Sequence, residues 1–141
     1  MRYTPPRWLP GGHAQTLYPL LIKPEAPAFR RERWETPDGD FIDTDWKEAR
    51  PASAGVRPLL VLFHGLEGSS NSHYARTMMH AANEAGWDGA VIHFRGCSGE
   101  PNRLPRAYHS GDSHEIDWIL RRIKAGQPTR PVYAVGVSLG G

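Results

Sequence analysis

Cysteine is nearly absent from this sequence. Cys97 stands alone among 141 residues, so no internal disulfide can form, and no pair or quartet of Cys and His at zinc-finger spacing surrounds it. A reducing compartment is therefore the expectation. Charge of one sign is also lacking: 17 Lys and Arg against 15 Asp and Glu leave a formal +2. The basic residues occur singly or in pairs such as Arg30-Arg31 and Arg121-Arg122, which is no footprint for nucleic acid. No apolar run approaches the length of a membrane span, and the prolines of MRYTPPRWLPGG stand where a secretory signal needs its apolar stretch. The chain is expected to be soluble and cytoplasmic. Its length suits one domain, which buries about two thirds of the surface of the extended chain.

Residues 1–30 are rich in Pro, Gly and aromatics, with prolines too frequent for a helix or a central strand. They read as an N-terminal arm packed over a core built by residues 31–141. In RERWETPDGDFIDTDW, alternating side chains flank Asp38-Gly39, a strong hairpin signal, and predict an antiparallel pair near a sheet edge. From Pro58 the pattern changes. LLVLF (59–63), AVIHF (90–94) and VYAVGV (132–137) lack polar alternation, as strands covered on both faces do. Between the first two runs, Ala75, Met78, Met79 and Ala82 recur at helical spacing, with Ser70, Asn71 or Ser72 as caps and Gly86 at the far end. Between the second and third, Ile116, Ile119, Leu120 and Ile123 do the same, from Asp112-Ser113 to Gly126. The reading is β-α-β-α-β, an α/β fold whose parallel sheet carries helices on its faces.

In such a sheet, ligands lie off the carboxyl ends of the strands. Three loops meet there: HGLEGSSNS, RGCSGEPNRLPRAYHSGD and SLGG. Gly136-Val137-Ser138-Leu139-Gly140 fits G-x-S-x-G directly after a strand, where the turn strains the serine and exposes its hydroxyl, while Gly136 and Gly140 keep Cβ atoms out of a crowded bend. The Leu139 N–H then faces the substrate oxygen. On these five residues alone, a Gly-rich strand-to-helix turn whose serine merely caps the helix is the favoured reading. Neither GVSLGG nor HGLEGSS supplies the spacing of a phosphate loop or a dinucleotide turn. His64-Gly65, after the first run, sits where acyl-transfer sites on this sheet carry their second oxyanion donor, and Leu66 N–H is the candidate. His64 itself reads as a loop histidine bonded to backbone rather than a general base.

A strand ending His64-Gly65, a strand ending Phe94-Arg95-Gly96 and a strand leading into Gly136-x-Ser138-x-Gly140-Gly141 are together similar to the α/β-hydrolase superfamily. Within it, GGHAQTLYP, HGLEGSSNSHY and above all FRGCSGEPNRLPRAYHSGD resemble the YheT-like branch of predicted esterases. The resemblance implies a serine nucleophile at Ser138, an oxyanion hole, and hydrolysis of carboxylic esters, acylglycerols among them, or acyl transfer to an alcohol. The implied partner is a small-molecule or lipid ester, and no metal or organic cofactor is implied. It also implies an Asp and a His after the serine.

All seven histidines and all the acids precede Ser138. The expectation is that residues 31–141 are the N-terminal part of one longer hydrolase domain, truncated at the nucleophile turn, with the run 132–137 as an exposed apolar edge. The rival reading is a non-catalytic fragment, complete as it stands. His109 is the one histidine worth entertaining as a recruited base, though a helix-start contact suits it better. Cys97 lacks a turn of the kind that activates a nucleophile and reads as a packed side chain. Glu67 and Arg95 either line the substrate mouth or hold loops together. Tyr3, Trp8, Leu9 and Tyr18 of the arm either touch lipid or form part of an acyl pocket, or, as suits them better, cover the sheet.

Overall fold

A computed structural model describes residues 4–22, 24–49 and 55–141. Helix α1 spans Gly12–Leu21; strands β1 (Arg30–Glu35) and β2 (Phe41–Lys47) form a hairpin. There follow β3 (Leu59–Phe63), α2 (His73–Glu84), β4 (Asp88–His93), α3 (Ser113–Gly126) and β5 (Val132–Gly136), with a 3-10 turn over Ser138–Gly140. The five strands lie in the order β1-β2-β4-β3-β5. β1/β2 and β2/β4 pair antiparallel, β3/β4 and β3/β5 parallel. This is the expected fold: an antiparallel edge pair followed by a parallel β-α-β-α-β unit.

Alternation along the buried strands splits the core into two halves. Leu59, Val61 and Phe63 of β3 join Ala90 and Ile92 of β4 against Ile119 and Ile123 of α3. Leu62 and Val91 point to the other face, against Ala75 and Met79 of α2. Each fully buried Leu, Ile or Val contributes about 1.5–3 kcal/mol, so the central strands are the most firmly held part of the sheet. β5 differs from the other two runs. It is the sheet edge among the described residues, and Tyr133 is 51% exposed.

The helix starts fall where the sequence places them, but neither Ser72 nor Asp112 makes a side-chain capping bond. Asp112 instead takes Arg106 Nη2 at 2.8 Å. The hairpin connection is longer than a two-residue turn: Thr36–Asp40 separates the strands. Thr36 N–H donates to Asp40 O at 3.0 Å.

Among the described residues of the 1–30 segment, a helix stands where the prolines predict none. α1 is helical despite Pro19 inside it. Pro19 removes only one internal bond from a ten-residue helix, and local contacts brace the rest: Trp8 stands edge-on to Tyr18 at 5.0 Å, and Thr16 Oγ1 donates to Gly12 O at 2.8 Å. No α1 residue is buried, and Leu21 is 82% exposed. The segment that does cover the core is 24–29: Phe29 packs on the α2-side cluster, and Arg76 Nη1 donates to Pro24 O at 3.0 Å. Tyr3 lies outside the described residues.

The hairpin is anchored by charge. Arg31 faces Asp45 across β1 and β2, and Arg33 faces Asp43. Both pairs are bidentate, at 2.7–2.9 Å. Asp45 Oδ2 also accepts from Ser70 Oγ at 2.6 Å and lies 2.8 Å from His93 Nε2. Burial pushes the Asp45 carboxyl up, but Arg31, His93 and Ser70 overcome it and hold it well below the usual carboxylate range.

A depressed folded pKa gives stability that is complete above the unfolded value, about 3.9, and is lost as pH falls through the folded one. Asp45→Asn should cost about 2 kcal/mol at pH 7, less than a fully buried pair because Arg31 is partly exposed. Denaturant unfolding of parent and variant at pH 7, 5 and 3 should show the gap constant down to about pH 4 and narrowing below it.

Candidate active site

The turn after β5 is set by contacts of backbone on backbone. Val137 N–H donates to Phe63 O at 3.0 Å, extending the β3/β5 ladder one residue past the strand, and Gly140 N–H then donates back to Val137 O at 3.0 Å. A Cβ on Gly136 would lie 2.2 Å from Gly140 O. On Gly140 it would lie 2.5 Å from Phe63 O and 2.6 Å from His64 O. Only glycine fits at either place. Between them Ser138 takes φ 55°, the left-handed region that a non-glycine residue enters at a cost of about 1–3 kcal/mol. Its side chain is exposed, while Leu139 packs partly against the α3-side core.

The loop after β3 lies against this turn. A Cβ placed on Gly65 would be 3.4 Å from Ser138 Cβ. His64 is fully buried, and both ring nitrogens are engaged. Phe94 N–H donates to Nε2 at 3.1 Å, so the proton sits on Nδ1, which donates to Gly65 O at 2.7 Å. Burial pushes the His64 pKa down against the pull of the Gly65 carbonyl. A neutral imidazole locked in one tautomer supports the loop; it has no nitrogen left to take a proton from Ser138.

Beyond His64, Gly65 N–H donates to Tyr74 Oη at 3.1 Å and Glu67 N–H to Tyr108 Oη at 2.7 Å. Leu66, 69% exposed, lies between them. Neither Leu66 N–H nor Leu139 N–H has a hydrogen-bond partner among the described residues. The turn thus carries an exposed serine on a strained backbone, and two open backbone donors lie in the turn and in the loop packed on it.

The other polar candidates hold structure together. Arg95 is buried and bonds Asp40 Oδ2 at 2.9 Å and Glu115 Oε1 at 2.6 Å. Burial lowers its pKa, Glu115 and Asp38 raise it, and the acids prevail. It locks the hairpin connection to the start of α3. His109 Nδ1 contacts Ser110 O at 3.0 Å, and the His109 carbonyl accepts from Asp112 N–H. Cys97 is half-buried, and burial pushes its thiol up, away from the thiolate. Among the described residues no group of three His, Cys, Asp or Glu is placed to hold a metal, and no helix is long and apolar enough to cross a membrane.

Sequence reasoning missed Tyr74, Tyr108 and the buried Glu115. Glu115 breaks the apolar period of α3, and an acid at a position facing the core was the available signal. The tyrosines left none, because their partners are backbone groups.

A mixed sheet whose parallel strands carry helices on both faces, with a serine-bearing tight turn at a strand's carboxyl end, defines an α/β protein of the hydrolase architecture. Residues 58–141 match the family model described as alpha/beta hydrolase fold, and the chain belongs to that family. It is 48% identical to YheT of Escherichia coli (strain K12) over 142 residues, covering 99% of this chain and 41% of that protein, and so is YheT-like. It is 32% identical to phospholipase ABHD3 of Homo sapiens over 144 residues, covering 99% of this chain and 35% of that one. The chain thus spans about two fifths of the length of these relatives. An alpha-beta serine hydrolase homologue from Coxiella burnetii shares the fold with TM-score 0.63 at 16% identity, covering 79% of this chain and 52% of that one.

Gly140→Ala should lower stability by about 1–3 kcal/mol, because its Cβ meets two backbone carbonyls that cannot step aside. Gly126→Ala, in a helix end with open space around it, should be neutral or stabilising by up to about 1 kcal/mol. Chemical denaturation of both variants reads the contrast.

Proposed function

We propose that this protein is a serine hydrolase of carboxylic esters that works through an acyl-enzyme on Ser138. The observation that carries the reading is the packing of the β3 loop on the strained Ser138 turn, with the Leu66 and Leu139 N–H groups both open. Ser138 Oγ attacks the ester carbonyl carbon, and the carbonyl π electrons move onto its oxygen. The Leu66 and Leu139 N–H groups stabilise that oxyanion, each worth about 3 kcal/mol in the transition state. A histidine takes the serine proton and gives it to the departing alcohol; water then hydrolyses the acyl-enzyme.

The histidine and the aspartate that orients it belong, in this reading, to the length that the relatives have and this chain does not span. His64 and His93 support this, being buried with both ring nitrogens facing protein partners. Residues 31–141 are then the first part of one hydrolase domain, with 1–30 as an arm, in a reducing cytoplasm. The likeness to a phospholipase favours a lipid ester as substrate.

In the full-length natural protein, a fluorophosphonate should label Ser138 and p-nitrophenyl esters should be cleaved. Ser138→Ala should abolish the label and lower kcat by about 10⁶. A folded full-length protein that takes no label sinks the reading and leaves a non-catalytic role. With ethanol or glycerol added, free acid as the main product marks a hydrolase, whereas new ester marks an acyltransferase using the same serine.

A further inference from the structure

We propose that Tyr74 and Tyr108 are positioning residues that fix the loop after β3 so that Leu66 N–H alone is presented to the oxyanion, a role that rests on the acyl-enzyme reading above. Three consecutive backbone donors, at residues 65, 66 and 67, share one short loop, in which Gly65 is buried and Leu66 and Glu67 are exposed. The outer two are taken by tyrosine hydroxyls, at 3.1 Å from Tyr74 and 2.7 Å from Tyr108. The middle one is left open.

The two hydroxyls arrive from opposite flanks. Tyr74 stands in the first turn of α2, and its Oη fills the hollow of the loop: a Cβ on Gly68 would come within 2.5 Å of it. Tyr108 comes from the long connection between β4 and α3. Its ring stacks on Phe94 at 5.3 Å with 6° between planes, and stands edge-on to His64 at 6.2 Å. Its phenol proton has two acceptors at hand, Glu67 Oε1 at 3.4 Å and the Cys97 sulfur, and donation to either leaves an oxygen lone pair for the Glu67 N–H. Burial pushes the Tyr108 pKa up, so the hydroxyl keeps that proton.

Such a clamp has a physical purpose. Glu67 holds φ 52°, a strained conformation for a residue with a side chain, and a loop written His-Gly-Leu-Glu-Gly can relax by rotating its peptide planes. The plane that carries the Leu66 N–H also carries the Gly65 carbonyl, which is held by His64 Nδ1 at 2.7 Å and Gly68 N–H at 3.0 Å, and rotation of either of the two planes flanking it breaks one tyrosine bond. The exposed Glu67 N–H would bond water without help, so Tyr108 acts there on orientation, whereas Tyr74 both satisfies and orients the N–H of the buried Gly65. An oxyanion donor displaced by about 1 Å costs up to about 10²-fold in rate.

The test uses the full-length natural protein and the variants Tyr108→Phe and Tyr74→Phe, which keep the rings and remove only the acceptors. Readouts are kcat and KM on a p-nitrophenyl ester and the affinity of an alkyl trifluoromethyl ketone, whose hemiketal oxyanion occupies the same donors. Each variant should lower kcat about tenfold, leave KM within about twofold, and weaken the ketone by the same factor as kcat. A purely structural role would change the folded fraction seen by circular dichroism and leave the ketone affinity of the folded protein unchanged. If one variant does not fold, 3-fluorotyrosine at that position, a weaker acceptor, should give a smaller step in the same direction. Both variants within twofold of the parent in kcat and ketone affinity, beside an inactive Ser138→Ala control, overturns the clamp. Turnover surviving in Ser138→Ala overturns the acyl-enzyme reading itself.

Discussion

The site rests on one close approach of backbone to backbone, Gly140 against the carbonyls of Phe63 and His64. β3 and β5 run parallel in register, with Phe63 beside Gly136, and their ladder continues to Val137 before the chain must leave the sheet. It leaves within three residues, and the returning backbone closes over the end of β3. Everything else at the site follows from that closure. Gly136 and Gly140 are required because no Cβ fits, Ser138 is driven to positive φ because the bend falls on it, and the loop that begins at His64 is brought against the serine.

A second layer of constraint is electrostatic. Three aspartates of the hairpin region, Asp40, Asp43 and Asp45, are buried, and each is matched to an arginine. Isolated buried carboxylates cost several kcal/mol, so these pairs mainly cancel a penalty, and what they gain is placement. Asp45 reaches Ser70 at the far end of the β3 loop, and Arg95 ties Asp40 to Glu115 at the start of α3. The loops at the carboxyl end of the sheet are thus hung from a charged frame on the hairpin side, while the apolar core lies under the helices.

Part of this was legible without coordinates. Unbroken apolar runs marked β3, β4 and β5, and for β3 and β4 the reason is that strands covered on both faces need no polar alternation. Helical spacing marked α2 and α3, and the turn dipeptide marked the hairpin. α1 was not legible, since Pro19 spoke against it and the contacts that brace it, such as Trp8 on Tyr18, involve no helical period. The apolar run of β5 reads like those of β3 and β4, but β5 is half open to solvent while β3 and β4 sit at the centre of the core.

By itself the sequence determined the order of elements from β1 onward, the turn that bears Ser138 and the glycines it needs, because periodicity and steric exclusion act between residues a few positions apart. Tertiary structure decided which donors stay open and which charges pair. Glu67 and Tyr108 meet across 41 residues, and Asp40 and Arg95 across 55. A hydrogen bond between a side chain and a distant backbone group leaves no period and no motif in the chain, so only folding brings it into being.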